Sequence, residues 1–113
     1  MKYSIIIADS KLIAKSDIKT WIDIGKKSIE PKSELSESLI EIINIIKSKF
    51  PKISNYKNSE SYMIFEEYSD FFAIDIEYED IEYLKKEILE IALEKGFAVL
   101  IGKENKIYKP TMK

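Results

Sequence analysis

The sequence has no cysteine, no histidine and no arginine, and all 18 of its positive charges are lysines. Without cysteine there is no disulfide and no thiolate nucleophile, and without histidine the side chain that titrates nearest neutral pH is missing. Cys/His zinc sites are excluded for the same reason. Valine is nearly absent too, Val99 standing alone against 22 isoleucines. Ile and Lys share A/T-rich codons and folding requires neither choice, so the pattern reads as nucleotide bias and a single surface lysine carries little information. The three glycines, Gly25, Gly96 and Gly102, are isolated, which excludes a Gly-rich phosphate loop. Long apolar runs are also lacking. The start, MKYSIIIADS, offers about five apolar residues before Asp9, too few for a secretory h-region or a membrane span, so the expected setting is the cytoplasm.

What is present is 113 residues, 45% hydrophobic and 34% charged, enough to close one core and read here as a single domain, 1–113. Residues 3–8 form a short β-branched run, a mostly buried strand ending at Asp9-Ser10. Residues 16–25 follow as a short helix, with Asp17 as N-cap, Ile18, Trp21 and Ile22 on one face with Trp21 as a core anchor, and Gly25 as the stop. From Ser33 to Phe50, Leu35, Leu39, Ile42, Ile43, Ile46 and Phe50 keep a 3.6-residue period, which predicts an amphipathic helix stopped by Pro51, its buried face widened by Ile40 and Ile45. Residues 51–60 are turn-rich and read as a loop.

Residues 61–67 and 71–79 predict a hairpin around Tyr68-Ser69-Asp70. In its second strand Phe72, Ile74, Ile76 and Tyr78 alternate with Phe71, Ala73, Asp75, Glu77 and Glu79, giving an apolar face and one that becomes acidic. Asp80 then caps a helix carrying Ile81, Leu84, Ile88, Ile91 and Ala92, with Gly96 as its stop. Residues 97–101 are a last central strand, 102–105 a turn and 106–108 a short edge strand. Two crossover helices separated by a hairpin predict an α+β fold, a ferredoxin-like sandwich: an antiparallel sheet with two main helices on one face and a short extra helix.

The net charge of −2 conceals an uneven distribution. Residues 1–57 carry 11 lysines against 7 carboxylates, whereas residues 58–113 carry 7 against 13. Within 66–82 lie eight carboxylates (Glu66, Glu67, Asp70, Asp75, Glu77, Glu79, Asp80 and Glu82) and no lysine. A block of one sign creates a local field. Asp75, Glu77 and Glu79 alternate along a strand, so they leave one face at intervals of about 6.8 Å and repel one another. Such a face is a solvated surface whose neighbouring strand supplies lysines, a surface for a cationic protein, or a divalent-metal site, although no loop has the calcium-hand pattern. Tyr62, Tyr68, Tyr78 and Tyr83 lie in or beside the block, and tyrosine with charge is a usual composition of recognition surfaces. Strand phase assigns Tyr78 to the core and Tyr62 to a cross-hairpin pair, leaving Tyr68 at the hairpin tip as the exposed one.

A serine nucleophile here would need a lysine or carboxylate base, and paired carboxylates would need a cleft for which so small a domain has little room. The lysines are scattered and the dominant field repels phosphate, which argues against nucleic acid. The expectation is a binding protein and not an enzyme, with no cofactor, metal or membrane partner. A field that repels phosphate suits a protein whose partner binds phosphate, as a basic nuclease cleft does.

Three stretches carry a resemblance: the opening MKYSIIIAD, the helix ending Phe50-Pro51, and ALEKGFAVLIGKENKIYKP with Ala92, Gly96, Phe97, Val99 and Pro110. In these the chain resembles a loose group of small bacterial immunity proteins from contact-dependent and polymorphic toxin systems. Those proteins often carry Asp-Pro-Gln after the last central strand, where this chain has Gly102-Lys103-Glu104. The resemblance implies an inhibitor that binds a cognate toxin; the charge and tyrosine pattern makes Glu66, Glu67, Tyr68, Asp70, Asp75, Glu77, Glu79, Asp80 and Glu82 the expected partner-binding residues of a monomer or homodimer. The alternative is a dimeric regulatory domain that binds a small molecule, a use to which ferredoxin-like sandwiches are often put.

Overall fold

The β-branched run forms strand β1 (Tyr3–Ala8), and the hairpin forms β2 (Tyr62–Glu67) and β3 (Phe71–Glu77). The chain ends in β4 (Ala98–Ile101) and β5 (Lys106–Tyr108), joined through a 3-10 turn at Gly102–Glu104 and Asn105 in the left-handed region at φ 53°. Residues 3–29, 34–54 and 61–110 are described in this computed structural model. The strands lie in the order β2-β3-β1-β4-β5 and every neighbouring pair is antiparallel.

Among the described residues four α-helical segments connect them: α1 (Asp17–Ser28), α2 (Glu37–Lys49), a single turn α3 (Pro51–Ser54) and α4 (Ile81–Glu94). Side chains one apart on a strand face opposite ways, and the two faces of this sheet meet different helices. The front face presents Ile5, Ile7, Phe72, Ile74, Ile76 and Val99 to the apolar stripes of α2 (Leu39, Ile42, Ile46) and α4 (Leu84, Ile88, Ala92). The fold is therefore the α+β ferredoxin-like sandwich, with β5 added at one edge and α1 as the extra helix. Tyr78 is half-buried against the front core, and Tyr62 sits opposite Glu77 across the hairpin.

Local chemistry fixes the helix ends. The Ser36 hydroxyl accepts the Leu39 amide at 3.4 Å and the Asp80 carboxylate accepts the Tyr83 amide at 3.2 Å. Gly96, at φ 87°, turns the chain out of α4 while Phe97 N–H reaches Ala92 O at 3.0 Å, the closure that favours glycine at this position. Phe50 ends α2, after which Pro51 opens α3 instead of starting a loop. The remainder of the expected loop, 55–60, and Ser33 at the expected helix start lie outside the described residues.

Helix α1 departs most from expectation. Ser16, not Asp17, is its cap, accepting the Lys19 amide at 3.2 Å, and the helix runs through Gly25 to Ser28. At Gly25 the backbone stays helical, while Lys26 and Lys27 near the C-terminus complement the helix dipole. Its buried residues are Thr20 and Ile24, with Trp21 half-buried beside them; Ile18 and Ile22 point outward. Ile40 on α2 is likewise exposed, whereas Ile45 is half-buried. α1 lies on the back of the sheet, where Ile24 packs with Ala8, Phe71 and Leu100 to make a second, smaller core.

Thr20 is the only polar residue fully buried among those described. Its hydroxyl accepts the Ala14 amide at 2.8 Å and donates to Ser16 O at 3.1 Å, tying the turn before α1 to the helix. Thr20→Val keeps the shape and strands the Ala14 N–H, so urea unfolding should show a loss of about 1–2 kcal/mol with an unchanged slope. A loss below a few tenths of a kcal/mol would mean that water replaces the hydroxyl.

Candidate functional site

Ion pairs at its two ends show how α1 lies. Asp17 approaches Lys109 beyond β5 at 3.9 Å, and Lys27 approaches Asp70 at the β2–β3 turn at 3.9 Å. The helix therefore crosses the strands at one end of the back face; at the other end Ser4 and Glu66 are exposed and Tyr62, Ile64, Asp75 and Glu77 are half-buried. There Asp75 lies between Ser4 of β1 and Ile64 of β2, and Glu77 lies opposite Tyr62. Glu66 lies opposite Ala73 on the same face.

Among the described residues, the positions opposite these carboxylates carry Ser4, Ile64, Tyr62 and Ala73. Asp75 takes a 2.6 Å hydrogen bond from the Ser4 hydroxyl. Three of the expected carboxylates, Glu66, Asp75 and Glu77, thus share one sheet surface with Tyr62 and Ile64.

The other expected residues go elsewhere. Asp70 forms ion pairs with Lys11 at 3.6 Å and with Lys27, so its charge is compensated at the hairpin turn. Tyr68 is not an exposed tip: its ring stacks on Phe71, with centroids 4.5 Å apart and planes 10° from parallel, and its hydroxyl donates to Glu66 at 2.9 Å. That bond holds the Tyr68 phenol above its usual pKa. Glu67 lies opposite Phe72, in the register of the front face, and is exposed. Glu79, Asp80 and Glu82 gather at the start of α4, where Asp80 is the cap and Glu82 meets Lys85 at 3.1 Å. The acidic block is thus divided among four places, and among the described residues no group of three carboxylates is placed to hold a metal ion.

One cluster gave no sequence signal. Glu104, from the Gly102–Glu104 turn, accepts hydrogen bonds from Tyr3 at 2.7 Å, Lys85 at 2.6 Å and Tyr108 at 2.9 Å. It joins β1, α4 and β5 in a half-buried node. The Lys85 ammonium and the Tyr3 hydroxyl hold the Glu104 carboxyl down at about 2. In return Glu104 raises Lys85 above its usual range; burial, then Glu104, raises Tyr3. The node sets the Glu104 carboxylate against the Lys85 ammonium, and its effect is to fix the β4–β5 end of the sheet. Tyr3 and Glu104 are 101 residues apart, a separation that no local pattern records.

One open depression is lined by Lys49, Phe50, Pro51, Ile53 and Tyr78. No helix among the described residues is long and apolar enough to cross a membrane. Compared with protein-family models, curated proteins and solved structures, the chain matches none.

Proposed function

We propose that the protein is an immunity protein that neutralises a cognate bacterial toxin by stoichiometric binding, presenting an acidic, tyrosine-bearing surface to a cationic, nuclease-type toxin domain. The observation that carries this reading is the back of the sheet beyond α1, where Glu66, Asp75 and Glu77 share a face with Tyr62 and Ile64. Such a face has apolar and aromatic area for affinity and one sign of charge for steering. It is a sheet surface with side chains standing on it, a form suited to covering another protein's cleft rather than to enclosing a substrate. The resemblance in the opening strand and in the segment from Ala92 to Pro110 points the same way.

Mixing the purified protein with the toxin domain encoded by the adjacent gene tests it. A one-to-one complex is expected, and the double substitution D75K/E77K should slow association about tenfold or more and flatten its salt dependence. Absence of a complex at micromolar concentration overturns the proposal. A complex whose association rate ignores both charge reversals removes this face as the interface.

A further inference from the structure

Strand β2 is one of the two edges of the sheet, and among the described residues no strand lies beyond it. An edge strand presents a row of backbone N–H and C=O groups, which proteins blunt by shortness, by lysine or proline, or by a bulge. The opposite edge is blunted in this way. β5 is three residues long, begins at Lys106, and is followed by Lys109, which approaches Asp17, and by Pro110. β2 has none of these devices: it runs for six residues without lysine or proline, and its register on β3 is unbroken from Tyr62 to Glu67.

The phase of the ladder fixes which groups face outward. Tyr68 N–H donates to Phe71 O at 3.0 Å and Asp9 N–H to Asp70 O at 3.1 Å. Hydrogen-bonded and non-bonded pairs alternate along antiparallel strands, so counting back from Tyr68 gives Glu66, Ile64 and Tyr62 to bonds with β3. Met63, Phe65 and Glu67 therefore turn their backbone N–H and C=O groups to the outer edge. The Asp9–Asp70 contact agrees, since it gives Phe72, Ile74 and Ile76 to bonds with β1 and leaves Phe71, Ala73 and Asp75 to β2.

We infer that two copies pair antiparallel through β2 about a two-fold axis at Ile64, extending the sheet of one copy into the other. The edge is complementary to itself in that register. Opposite residues share a face, so Met63 of one copy meets Phe65 of the other on the front, and Tyr62 meets Glu66 on the back. Met63 and Phe65 are outward-facing, and their two pairs exchange about four backbone hydrogen bonds. No carboxylate meets another, whereas an axis at Glu66 or Glu67 would set like charges directly opposite. Helix α2 adds apolar area beside the same edge: the Lys47 ammonium lies 5.3 Å from the Phe65 ring, and Ile40, on the same side of the helix as Lys47 at 100° per residue, is 39% exposed.

Edge pairing sets the two back faces side by side and covers neither. The inference does not rest on the toxin reading, since its test contains no toxin and failure of either leaves the other standing. Two edge strands bury less than a standard interface, so the association belongs to the weaker class and its test reaches high concentration.

The test is sedimentation velocity on the purified chain from micromolar to near-millimolar concentration. Wild type should pass from monomer to dimer. Ile64→Lys should abolish the dimer, because two ammonium groups then meet on the axis, without lowering the melting temperature, because within one copy the new lysine lies opposite Asp75. The absence of native cysteine allows a second measurement. Ile64→Cys places the two sulfurs on the axis in a non-bonded pair, where Cα atoms about 4.5 Å apart admit a disulfide, so oxidised glutathione should give a covalent dimer. Tyr62→Cys, whose two copies lie about 13 Å apart along the strands, should stay monomeric under the same treatment. A wild type that remains monomeric throughout overturns the proposal. A dimer that survives Ile64→Lys, or cross-linking at position 62 as ready as at position 64, overturns it equally.

Discussion

Truncating Phe71 to alanine is expected to lower the unfolding free energy by about 3–5 kcal/mol, the range for a fully buried aromatic ring. Phe71 is 1% exposed, yet it belongs to the back face, which its strand otherwise gives to Asp75 and Glu77. The ring fills the space between the sheet and α1, meeting Ile24, Ala8 and Leu100, and Tyr68 stacks over it. Its removal should therefore act unevenly. Amide hydrogen exchange should accelerate in α1 and the hairpin turn well before α2 and α4, whose core on the front face is separate. A cost below about 1 kcal/mol, or equal acceleration in all the helices, would show that α1 is not held by this second core.

The second large effect belongs to Glu104. Its carboxyl is held at about 2 against an ordinary 4.5, so the folded state binds its proton more weakly than the unfolded chain does. The resulting stability is complete above pH 4.5 and disappears as pH falls from 4.5 toward 2. A gap of that size corresponds to at most about 3 kcal/mol, and solvent access to the side chain reduces it to about 2. Glu104→Gln should remove this contribution at neutral pH and flatten the acid limb of the stability curve.

Tyr3 acts at the other end: its raised pKa favours the protonated phenol of the fold, so stability should also decline as pH rises above 10. Removing one charge of a paired, half-buried set strands the other. K85M/E104Q should therefore cost less than the two single changes added together, by about 1 kcal/mol or more. Additive costs, or an acid limb unchanged in Glu104→Gln, would mean that the node does not hold the sheet end.

Much of the framework is legible because it is set by local rules. The alternation of Phe72, Ile74 and Ile76, the 3.6-residue period from Leu39 to Ile46, and the Asp80 and Gly96 boundaries of α4 all concern residues within a few positions of each other. From them come the strands, the main helices and the ferredoxin-like order. Misreadings arise where a residue's neighbour is distant in sequence. Ile18, Trp21 and Ile22 form a plausible apolar face, but the sheet accepts the side carrying Thr20 and Ile24, because the Thr20 hydroxyl satisfies the turn at Ala14. Tyr68 stands at a turn, where exposure is the reasonable expectation, yet Phe71 three residues on gives its ring a partner.

The contiguous block from Glu66 to Glu82 is one object in sequence and four in space, since strand alternation and the turn into α4 send its members in different directions. The absence of cysteine, histidine and arginine restricts the chemistry wherever the chain folds, because it removes those side chains altogether. Composition thus determined what the surface could be made of, and periodicity determined which elements form. Only the tertiary structure decided which half of the back face α1 covers, which isoleucines of α1 are left outside, and that Glu104 binds both ends of the chain. These follow from packing between segments far apart in sequence, where a side chain's surroundings are set by the fold and not by its neighbours along the chain.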